Sequence, residues 1–532
     1  MAGRTARRAG NAAAAHRRGP AADPVRRAVC DVLLAVATRG AYANLLLPSV
    51  LRDRRLSGRD AALATELCYG TLRGQGSYDA ILNVCSDRPV ARMDPPVREV
   101  LRLGVHQLLG TRIAAHAAVT TSVDLAKDVA GPRTAGFVNA VLRRVSTRDL
   151  EAWVTAVAPD RRADPAGYLA VRHSYPRWIV AAFREALGDE PQQAPDAPLA
   201  RTEGEPALAA TETTLTEAAR VGAEGESARA AAQAARAGAE GESALAAGRS
   251  ALAETEAALA AGNAAPRVTV CALPGRCEPG ELTGAAGCEP ARWSPFGAYL
   301  PQGDPASIPA VRERRATVQD EASQLAALAL SRAEVTGADR LWLDMCAGPG
   351  GKAGLLAGLA AASGARLVAS DVREHRASLA ADALAGVPSA ATLVADGTAP
   401  AWRAAAFDRV LADVPCSGLG SVRRRPELRW RRSPRQLAEL ARLQRTLLAA
   451  ALDSVRPGGV VGYVTCSPHV AETRDVLAAV LDGRQDVDVL DAPALAGVAG
   501  LSSPVPFGKY AQFWPHRHGT DAIFLAVIRR LA

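Results

Sequence analysis

Apolar side chains in the first third of the chain recur every three or four residues, the spacing of one face of an α-helix. The alternation of apolar and polar positions that marks a strand is scarce there. We therefore predict an all-helical domain over residues 24–189, built from successive amphipathic helices. The clearest helical stretches are Val25–Thr38, Asp60–Leu72, Val97–Leu109 and Thr121–Val129.

The helical pattern gives way over residues 190–266 to a stretch rich in Ala, Glu, Gly and Arg, with almost no aromatic side chains. The sequence GAEGES occurs here twice, at Gly222–Ser227 and at Gly238–Ser243. Such a composition contains too few large apolar side chains to bury a core. We predict a linker or insertion that is disordered or forms a loose Ala-rich helix.

Strand and helix patterns alternate from Arg267 onward. Short apolar runs, most of which end in Asp or at a turn, are separated by helical stretches such as Lys352–Ala362 and Pro434–Val455. This alternation predicts an α/β domain with a parallel, doubly wound, Rossmann-like sheet, whose ligands bind at the carboxyl ends of the strands. The predicted strands are Arg340–Asp344, Arg366–Asp371, Thr392–Asp396, Asp408–Asp413 and Val460–Thr465.

Length and charge narrow the class of protein further. The 532 residues are enough for two or three domains, and no apolar run reaches the roughly 18–20 residues of a membrane-spanning helix. Residues 1–23 are basic and lack the apolar segment of a secretory signal, so we predict a disordered basic tail and a cytoplasmic protein. The net charge of +8, carried almost entirely by arginine, suits a polyanionic partner.

The nine cysteines are spread over the whole chain, and no two of them form a C-x-x-C pair. The sequence therefore indicates neither a zinc ribbon nor a disulfide framework. His516 and His518 have no further His, Cys or Asp at ligand spacing, so we expect no bound metal. Most of the cysteines are expected to be small buried apolar residues.

A glycine-rich segment, Asp344–Lys352 (DMCAGPGGK), follows the first predicted strand of the α/β domain. Gly348, Gly350 and Gly351 allow a tight turn and a close approach of the backbone to a ligand. The helix that follows presents its N-terminal N–H groups to an anionic group, a carboxylate or a phosphate.

The segment is not a P-loop, because Cys346 stands where that motif opens with glycine and Ala353 follows the lysine in place of Ser or Thr. Its spacing does fit a dinucleotide-binding loop, and Asp371 ends the next strand at the distance expected for a ribose-binding carboxylate. NAD and S-adenosylmethionine both carry an adenosine ribose. The loop thus predicts a nucleoside-containing cofactor without deciding which one.

Two later segments each place a cysteine just beyond a strand end: Asp413–Gly420 (DVPCSGLG) and Tyr463–Pro468 (YVTCSP). Cys416 and Cys466 are flanked by Pro, Ser or Gly, as loop residues with a chemical role often are. A thiolate that adds to carbon 6 of cytosine activates carbon 5 toward a methyl donor, and a carboxyl group such as Asp413 can serve ring nitrogen N3. The residues alone do not choose between the two thiols.

With these segments the chain resembles the RsmB/Sun (Fmu) branch of the NOP-type RNA cytosine-C5 methyltransferases. The resemblance covers Val318–Arg529, and its matching segments are VQDEASQLAA, DMCAGPGGK, SDVREHR, ADVPCSGLGSVRRRPELRWRR, YVTCSPHVAET and FWPHRHGTDAIFLA. Residues 24–145 resemble NusB, an RNA-binding module, around Ala62–Gly74 and in Thr134–Arg144. The resemblance implies a NusB-like helical domain followed by a Rossmann-like class I methyltransferase domain over residues 318–532. Residues 267–317 loosely match the small RNA-contacting region that precedes it.

The resemblance also implies the roles of the residues. Cys466 is the nucleophile, Cys416 assists product release, and Asp413 lies between cofactor and base, where it protonates or hydrogen-bonds N3. The implied cofactor is S-adenosylmethionine and the implied substrate is small-subunit ribosomal RNA, methylated by a monomer without membrane attachment. The residues implied to bind the cofactor are Cys346, Ala347, Gly348, Pro349, Gly350, Gly351, Lys352, Asp371, Arg376, Asp396 and Asp413.

Departures from the family pattern leave every reactive group in place. Gly348 stands where Ala is usual, Ala353 where Thr is common, and Val414 where Ala is usual. The intact Asp413 and both cysteines argue against a non-catalytic RNA-binding factor with a retired methyltransferase fold. The Thr-Cys motif argues against a DNA cytosine methyltransferase, in which the Pro-Cys thiol attacks.

The arginine cluster that follows the Pro-Cys loop contains an interleaved tryptophan and is expected to contact RNA. It consists of Arg423, Arg424, Arg425, Arg429, Trp430, Arg431 and Arg432. His516 and His518 are expected to shape the loop beside the active site.

Overall fold

The computed structural model describes residues 23–188, 251–284, 286–301, 303–498 and 508–531. The chain divides into two compact units, Met1–Ala163 and Asp164–Ala532. Both GAEGES repeats and the predicted basic tail up to residue 22 lie outside the described residues. In the described ranges, no helix has both the length and the apolar character needed to cross a membrane.

The first unit is all-helical over its described residues. Asp23 caps the first helix by accepting the Arg26 N–H at 2.9 Å, and Gly40, with a φ of 66°, ends it in the left-handed conformation. The fourth helix is central, because it is buried continuously from Glu99 to Gln107. The helices are α1 (Pro24–Arg39), α2 (Ala43–Asp53), α3 (Gly58–Cys85), α4 (Pro95–Leu109), α5 (Ala115–Ala130), α6 (Ala135–Val145) and α7 (Leu150–Val157).

The second unit begins with two helices, α8 (Pro165–His173) and α9 (Arg177–Ala186), and continues with a helix over residues 251–263, here α10. Their apolar side chains share one core with parts of the α/β domain, including Phe183, Leu259 and Trp514. The observed domain boundary therefore differs from the predicted one, since α8 and α9 pack with the second unit. The last part of the predicted linker, for which disorder or a loose Ala-rich helix was expected, is a helix that packs into this core.

A small antiparallel sheet follows, with strand order β2-β3-β1-β4. The buried Glu321 carboxylate joins this sheet to the next helix, because it accepts the Ser294 N–H at 2.7 Å and the Tyr299 hydroxyl at 2.6 Å. The elements are β1 (Val268–Ala272), α11 (Pro279–Thr283), β2 (Glu289–Pro290), β3 (Gly297–Leu300), α12 (Pro309–Arg312) and β4 (Ala316–Val318).

The rest of the chain forms an α/β domain around a mixed sheet of order β10-β12-β9-β8-β5-β6-β7, with β11 paired to β12. The elements are α13 (Glu321–Arg332), β5 (Leu341–Asp344), α14 (Gly351–Ala362), β6 (Arg366–Asp371), α15 (Glu374–Leu384), β7 (Ala390–Val394), β8 (Phe407–Asp413), α16 (Leu428–Arg431), α17 (Pro434–Ser454), β9 (Val455–Thr465), α18 (Arg474–Leu481), β10 (Val487–Leu490), α19 (Ala492–Ala496), β11 (Ala511–Gln512), α20 (Pro515–His518) and β12 (Phe524–Arg530).

Strands β5 to β9 pair in parallel, as predicted, while β10, β11 and β12 are antiparallel additions. The chain leaves β5 for β6 on one side and later returns to β8 on the other side of β5. A reversal of this kind opens a crevice at the carboxyl ends of β5 and β8, which is where doubly wound sheets bind ligands.

Candidate active site

Four polar strand ends meet at this crevice. Asp344 ends β5, Asp371 ends β6 and Asp413 ends β8, while Cys466 follows directly after β9. The parallel register aligns these ends, with Asp344 opposite Leu411 and Asp413 opposite Val464. The structure thus brings together side chains that lie up to 122 positions apart in the sequence (466 − 344).

The glycine-rich loop turns sharply between β5 and α14. Gly350 has a φ of 106°, and a Cβ there would lie 2.5 Å from the Cβ of Ala383 on α15. A Cβ at Gly348 would lie 2.5 Å from the Cβ of Arg376 and 2.7 Å from a carboxylate oxygen of Asp371. Side chains are therefore excluded at both positions, because the loop packs directly against the end of β6 and against α15.

Asp371 and Arg376 are tied to this loop. The buried Asp371 accepts the Gly348 N–H at 3.2 Å and the Arg373 N–H at 3.0 Å. Arg376 forms an ion pair with Asp371 at 3.4 Å and donates a hydrogen bond to the Gly348 carbonyl. The two residues expected in the cofactor site thus lie against the loop.

Asp396 lies two residues beyond the end of β7 and is exposed. It accepts the Thr398 N–H at 2.8 Å and the Thr398 hydroxyl at 2.7 Å, and these hydrogen bonds lower its pKa. The next residue, Gly397, packs against Met345, since a Cβ there would lie 2.9 Å from the Met345 Cγ. Asp396 therefore borders the start of the glycine-rich loop.

Asp344 was not among the predicted site residues, yet it is the most unusual carboxylate of the crevice. It is 1% exposed, and neither of its oxygens has a hydrogen-bond partner among the described residues. Burial and, after it, the negative charge of Asp413 raise the pKa of Asp344 to about 8, against the lowering effect of Lys352. A buried, unpaired carboxyl group beside a glycine loop is suited to a cationic group of a ligand.

Lys352, in the first turn of α14, donates to the Asp413 carboxylate at 2.8 Å. Burial alone would lower the pKa of Lys352, but the charge of Asp413 and this hydrogen bond raise it overall. The Asp413 side chain keeps 30% of its surface exposed, whereas that of Lys352 keeps 11%. The ion pair thus presents its carboxylate end to the open side of the crevice.

The Cys416 and Cys466 sulfurs lie 3.1 Å apart, and both residues are half-buried. A hydrogen bond from Cys416 lowers the pKa of the Cys466 thiol, and the charges of Arg425 and Lys352 lower it further against burial and Asp413. The same contact and burial raise the pKa of Cys416. Burial also raises the pKa of Cys346, so Cys466 is the one cysteine of this crevice whose pKa is lowered.

Glu472, which sequence reasoning missed, fixes the loops that carry both thiols. It is fully buried and accepts the Ser417 N–H at 2.7 Å, the Ser417 hydroxyl at 2.5 Å and the Gln444 amide at 3.1 Å. The Ser417 hydroxyl also lies 3.1 Å from that of Ser467, which follows Cys466. One carboxylate therefore sets the position of the residues that follow Cys416 and Cys466.

A second set of contacts, made by the backbone of Gly420, holds the residue Cys466 itself. Gly420 donates to the Cys466 carbonyl at 2.9 Å and accepts the Ala522 N–H at 3.0 Å. A Cβ at Gly420 would lie 1.8 Å from the Ala522 oxygen, so only glycine fits. Asp521, the buried residue before Ala522, forms ion pairs with Arg423 and Arg424.

The expectation that the arginine cluster contacts RNA is wrong for two of its members. Arg429 is fully buried, donates to the Gly262 carbonyl at 2.9 Å, and lies 3.8 Å from the centroid of the Tyr175 ring. Arg423 is buried against Asp521. These two side chains hold parts of the second unit together, while Trp430 is exposed. Alternating charge and aromatic residues do not reveal which of them face the core.

His516 and His518 shape their loop, as expected. His516 lies 3.0 Å from a carboxylate oxygen of Glu254 on α10, and His518 accepts the Trp514 N–H at 2.9 Å. Burial lowers the pKa of His516, and it lowers that of His518 to about 4. Both imidazoles are therefore neutral at pH 7.

A doubly wound sheet with a glycine-rich loop at its reversal point and acidic strand ends is the arrangement of a Rossmann-like domain that binds a nucleoside-containing cofactor. A family model described as "16S rRNA methyltransferase RsmB/F" matches residues 331–529, and one described as the NusB family matches residues 23–147. The chain belongs to the RsmB/F family of ribosomal RNA methyltransferases and carries an N-terminal NusB domain.

Individual relatives match over nearly their whole lengths. The Mycobacterium tuberculosis protein Rv1407, named as a methyltransferase, is 44% identical over 96% of this chain and 97% of its own length. Ribosomal RNA small subunit methyltransferase B of Pseudomonas putida is 30% identical over 95% of this chain and 98% of its own. The crystal structure of PH0851 has the same fold, with a TM-score of 0.69 at 20% identity over 95% of this chain and 98% of that one.

Membership of this family confirms the predicted fold class and the expected cofactor, since S-adenosylmethionine is the methyl donor of RsmB/F enzymes. It also removes the two rival hypotheses, because the family consists of methyltransferases that act on ribosomal RNA. The crevice fits the cofactor: Asp371 and Arg376 lie against the glycine-rich loop, and Asp344 offers a buried carboxylate without a hydrogen-bond partner among the described residues.

Proposed function

We propose that this enzyme methylates carbon 5 of a cytosine in small-subunit ribosomal RNA through a covalent adduct between Cys466 and carbon 6 of the base. The observation that carries the proposal is the pair of thiols 3.1 Å apart beside the Lys352–Asp413 ion pair. A nucleophile, a carboxyl group and a second thiol are the groups that this reaction needs.

The proposed cofactor site is the loop from Cys346 to Lys352 together with Asp371, Arg376 and Asp396. S-adenosylmethionine supplies, when bound, an electrophilic methyl group. Asp371 is suited to the ribose hydroxyls, Asp396 to the adenine edge, and the buried Asp344 carboxylate to the ammonium of the methionine part. Arg376 holds Asp371 and the loop in register.

Cys466 starts the chemistry. Its thiolate forms a bond to carbon 6, and the electron pair of the C5–C6 double bond then becomes available at carbon 5 for the methyl group. The lowered pKa of Cys466 supports this role, because it raises the fraction of thiolate at neutral pH. Arg425 and Lys352 supply the positive charge that stabilises the thiolate.

Ring nitrogen N3 must gain a proton or a strong hydrogen bond as the thiolate adds. Asp413 is the group suited to serve it, because its carboxylate is partly exposed while its other contact is the Lys352 ammonium at 2.8 Å. The Lys352 ammonium, which donates to the Asp413 carboxylate, is the source of a proton that Asp413 can pass to N3 and return when the adduct breaks down.

Cys416 assists the last step. Once water has taken up the proton on carbon 5, the electron pair of that C–H bond re-forms the C5–C6 double bond, and the bond between carbon 6 and the Cys466 sulfur breaks. The Cys416 thiol, 3.1 Å from that sulfur and with a raised pKa, is suited to donate a hydrogen bond to the departing thiolate. Removing Cys416 should therefore trap the adduct.

The test compares Cys416→Ala and Cys466→Ala on a small-subunit ribosomal RNA transcript with S-adenosylmethionine. Cys416→Ala should accumulate a protein–RNA adduct that survives a denaturing gel, while Cys466→Ala should give neither adduct nor product. Cys288→Ala, in the small antiparallel sheet, is the matched control and should behave like the unchanged enzyme. An adduct from Cys466→Ala, with none from Cys416→Ala, would reverse the proposed roles.

A further inference from the structure

The two thiols of the proposed active site lie close enough for a second reaction besides the hydrogen bond proposed for product release. Their sulfurs are 3.1 Å apart, about 1 Å more than the roughly 2.05 Å of a disulfide bond. Both residues keep part of their surface exposed, whereas six of the other seven cysteines are buried. Cys346, the remaining one, is half-buried and has a thiol pKa raised by burial.

The backbone on both sides of the pair is already fixed. Ser417 is held by Glu472, and the Cys466 carbonyl accepts the Gly420 N–H at 2.9 Å. Strands β8 and β9, which carry the two loops, are neighbours, and the Val414 N–H donates to the Val464 carbonyl at 3.1 Å just before the loops begin. The two loops that carry the sulfurs are therefore held next to each other by backbone hydrogen bonds.

The two thiols also differ in reactivity in the way that a reactive and a resolving cysteine do. The Cys466 pKa is lowered by the hydrogen bond from Cys416 and by nearby positive charge, while the Cys416 pKa is raised. Oxidant-sensitive sites commonly combine an accessible thiolate with an adjacent second thiol.

We propose that Cys416 and Cys466 form a modification site for hydroperoxides, at which oxidation closes a reversible disulfide that stops methyl transfer. The proposal rests on the geometry of the proposed active site and does not depend on which base is methylated. Because the bond consumes both thiols, the oxidised enzyme can neither attack a base nor assist release.

The chemistry balances in two steps. The Cys466 thiolate attacks one oxygen of hydrogen peroxide, the O–O bond breaks, and a sulfenic acid and hydroxide form; the hydroxide takes up the proton of the original thiol to give water. The Cys416 sulfur then attacks the sulfenic sulfur, the S–O bond breaks, and a second water leaves with the Cys416 proton. Two thiols and one peroxide thus give one disulfide and two waters. A dithiol reductant reverses the reaction by thiol–disulfide exchange.

The test treats the full-length protein with one equivalent of hydrogen peroxide and needs no RNA. Titration of the unfolded protein should show a fall from nine free thiols to seven. Tryptic peptides 410–423 and 446–474, each with a single cysteine, should be found as one linked species that dithiothreitol separates. Methyltransferase activity on an RNA transcript should fall in parallel with the linked fraction and return on reduction.

Two variants sharpen the result. Cys416→Ala cannot form the bond, so its Cys466 should be labelled by a sulfenic-acid reagent such as dimedone instead of being linked. Cys288→Ala should start at eight thiols and still lose two. Persistence of all nine thiols in the unchanged protein, or a linked pair that excludes peptide 410–423 or 446–474, would overturn the proposal. Failure to methylate cytosine would leave this chemical readout unaffected.

Discussion

Replacing Glu472 with glutamine tests whether one buried carboxylate sets the geometry of both thiols. Glu472 is fully buried and accepts hydrogen bonds of 2.7 and 2.5 Å from Ser417 and of 3.1 Å from Gln444. A glutamine keeps one acceptor oxygen but turns an NH₂ group toward one of these donors. Hydrogen bonds to a charged acceptor stabilise a protein by roughly 1–1.5 kcal/mol more than hydrogen bonds to a neutral one. Two N–H or O–H donors that point at each other, one of them the new NH₂ group, destabilise the folded state by about the same amount again.

The free energy of unfolding of the second unit should therefore fall by about 2–4 kcal/mol, which leaves it folded if it has the usual stability of about 5–15 kcal/mol. Tryptophan fluorescence in urea measures this unit well, since six of the seven tryptophans lie after Asp164. Glu439→Gln, an exposed position on α17, is the matched control and should change stability by less than about 0.5 kcal/mol.

A positioning role predicts a second effect that destabilisation alone would not cause. If Ser417 moves, Cys416 no longer lies 3.1 Å from the Cys466 sulfur, and release of the product slows. Glu472→Gln should then accumulate the covalent adduct during turnover, as a weaker form of Cys416→Ala. Unchanged stability in urea, or lower stability with a normal ratio of adduct to product, would contradict a positioning role for Glu472.

Three further changes probe the crevice. Asp344→Asn should weaken S-adenosylmethionine binding by calorimetry. It should also make the ligand-free protein more stable than the unchanged protein. Because the pKa of the Asp344 carboxyl group is raised to about 8, the unchanged protein loses the stability that the protonated form gives as pH rises from about 4 to about 8. The difference in Tm between the two proteins should therefore grow over that pH range and level off above it, and a constant difference would contradict this. Gly350→Ala should cost about 1–3 kcal/mol in urea, because its φ is 106° and its Cβ would lie 2.5 Å from that of Ala383; Gly364→Ala, also at positive φ but with no atom within 4 Å, should cost less. Arg425→Ala should shift the pH dependence of iodoacetamide labelling of Cys466 to higher pH, since Arg425 lowers the pKa of this thiol. An unchanged pH dependence would show that Arg425 does not stabilise the Cys466 thiolate.

The parallel part of the fold could be predicted from the sequence because each strand is a short apolar run that ends in a polar residue. Strand β6, Arg366–Asp371, has the predicted bounds, and β7 lies two residues earlier than predicted. The antiparallel strands β10 and β11 were not predicted, because they are short and exist only through their pairing with β12. Tertiary pairing, and not local pattern, defines them.

Domain membership was harder to predict than helix content. The periodicity of α8 and α9 correctly indicates helices but cannot show what their apolar faces cover, and these faces pack with Leu259 and Trp514 of the second unit. For the same reason, the Ala-rich composition near residue 260 did not show that a helix there packs into a core. Its end is held by the buried Arg429, which the sequence had suggested as an RNA contact.

The positions of the site residues followed from their strand-end location, but their couplings did not. Nothing in the sequence indicates that Glu472 holds Ser417, or that Asp344 lacks a partner, because both depend on burial and on residues brought together by the sheet. Their one signal was proximity to a recognised motif: Glu472 lies six residues after Cys466, and Asp344 opens the glycine-rich loop.

The central claim, methylation of carbon 5 of a cytosine in small-subunit ribosomal RNA, is tested most directly by bisulfite sequencing of that RNA from a strain lacking the gene. The proposal predicts that one 5-methylcytosine disappears, returns when the unchanged gene is restored, and stays absent when the restored gene carries Cys466→Ala. A full set of 5-methylcytosines in the deletion strain, or its restoration by Cys466→Ala, would contradict the proposal.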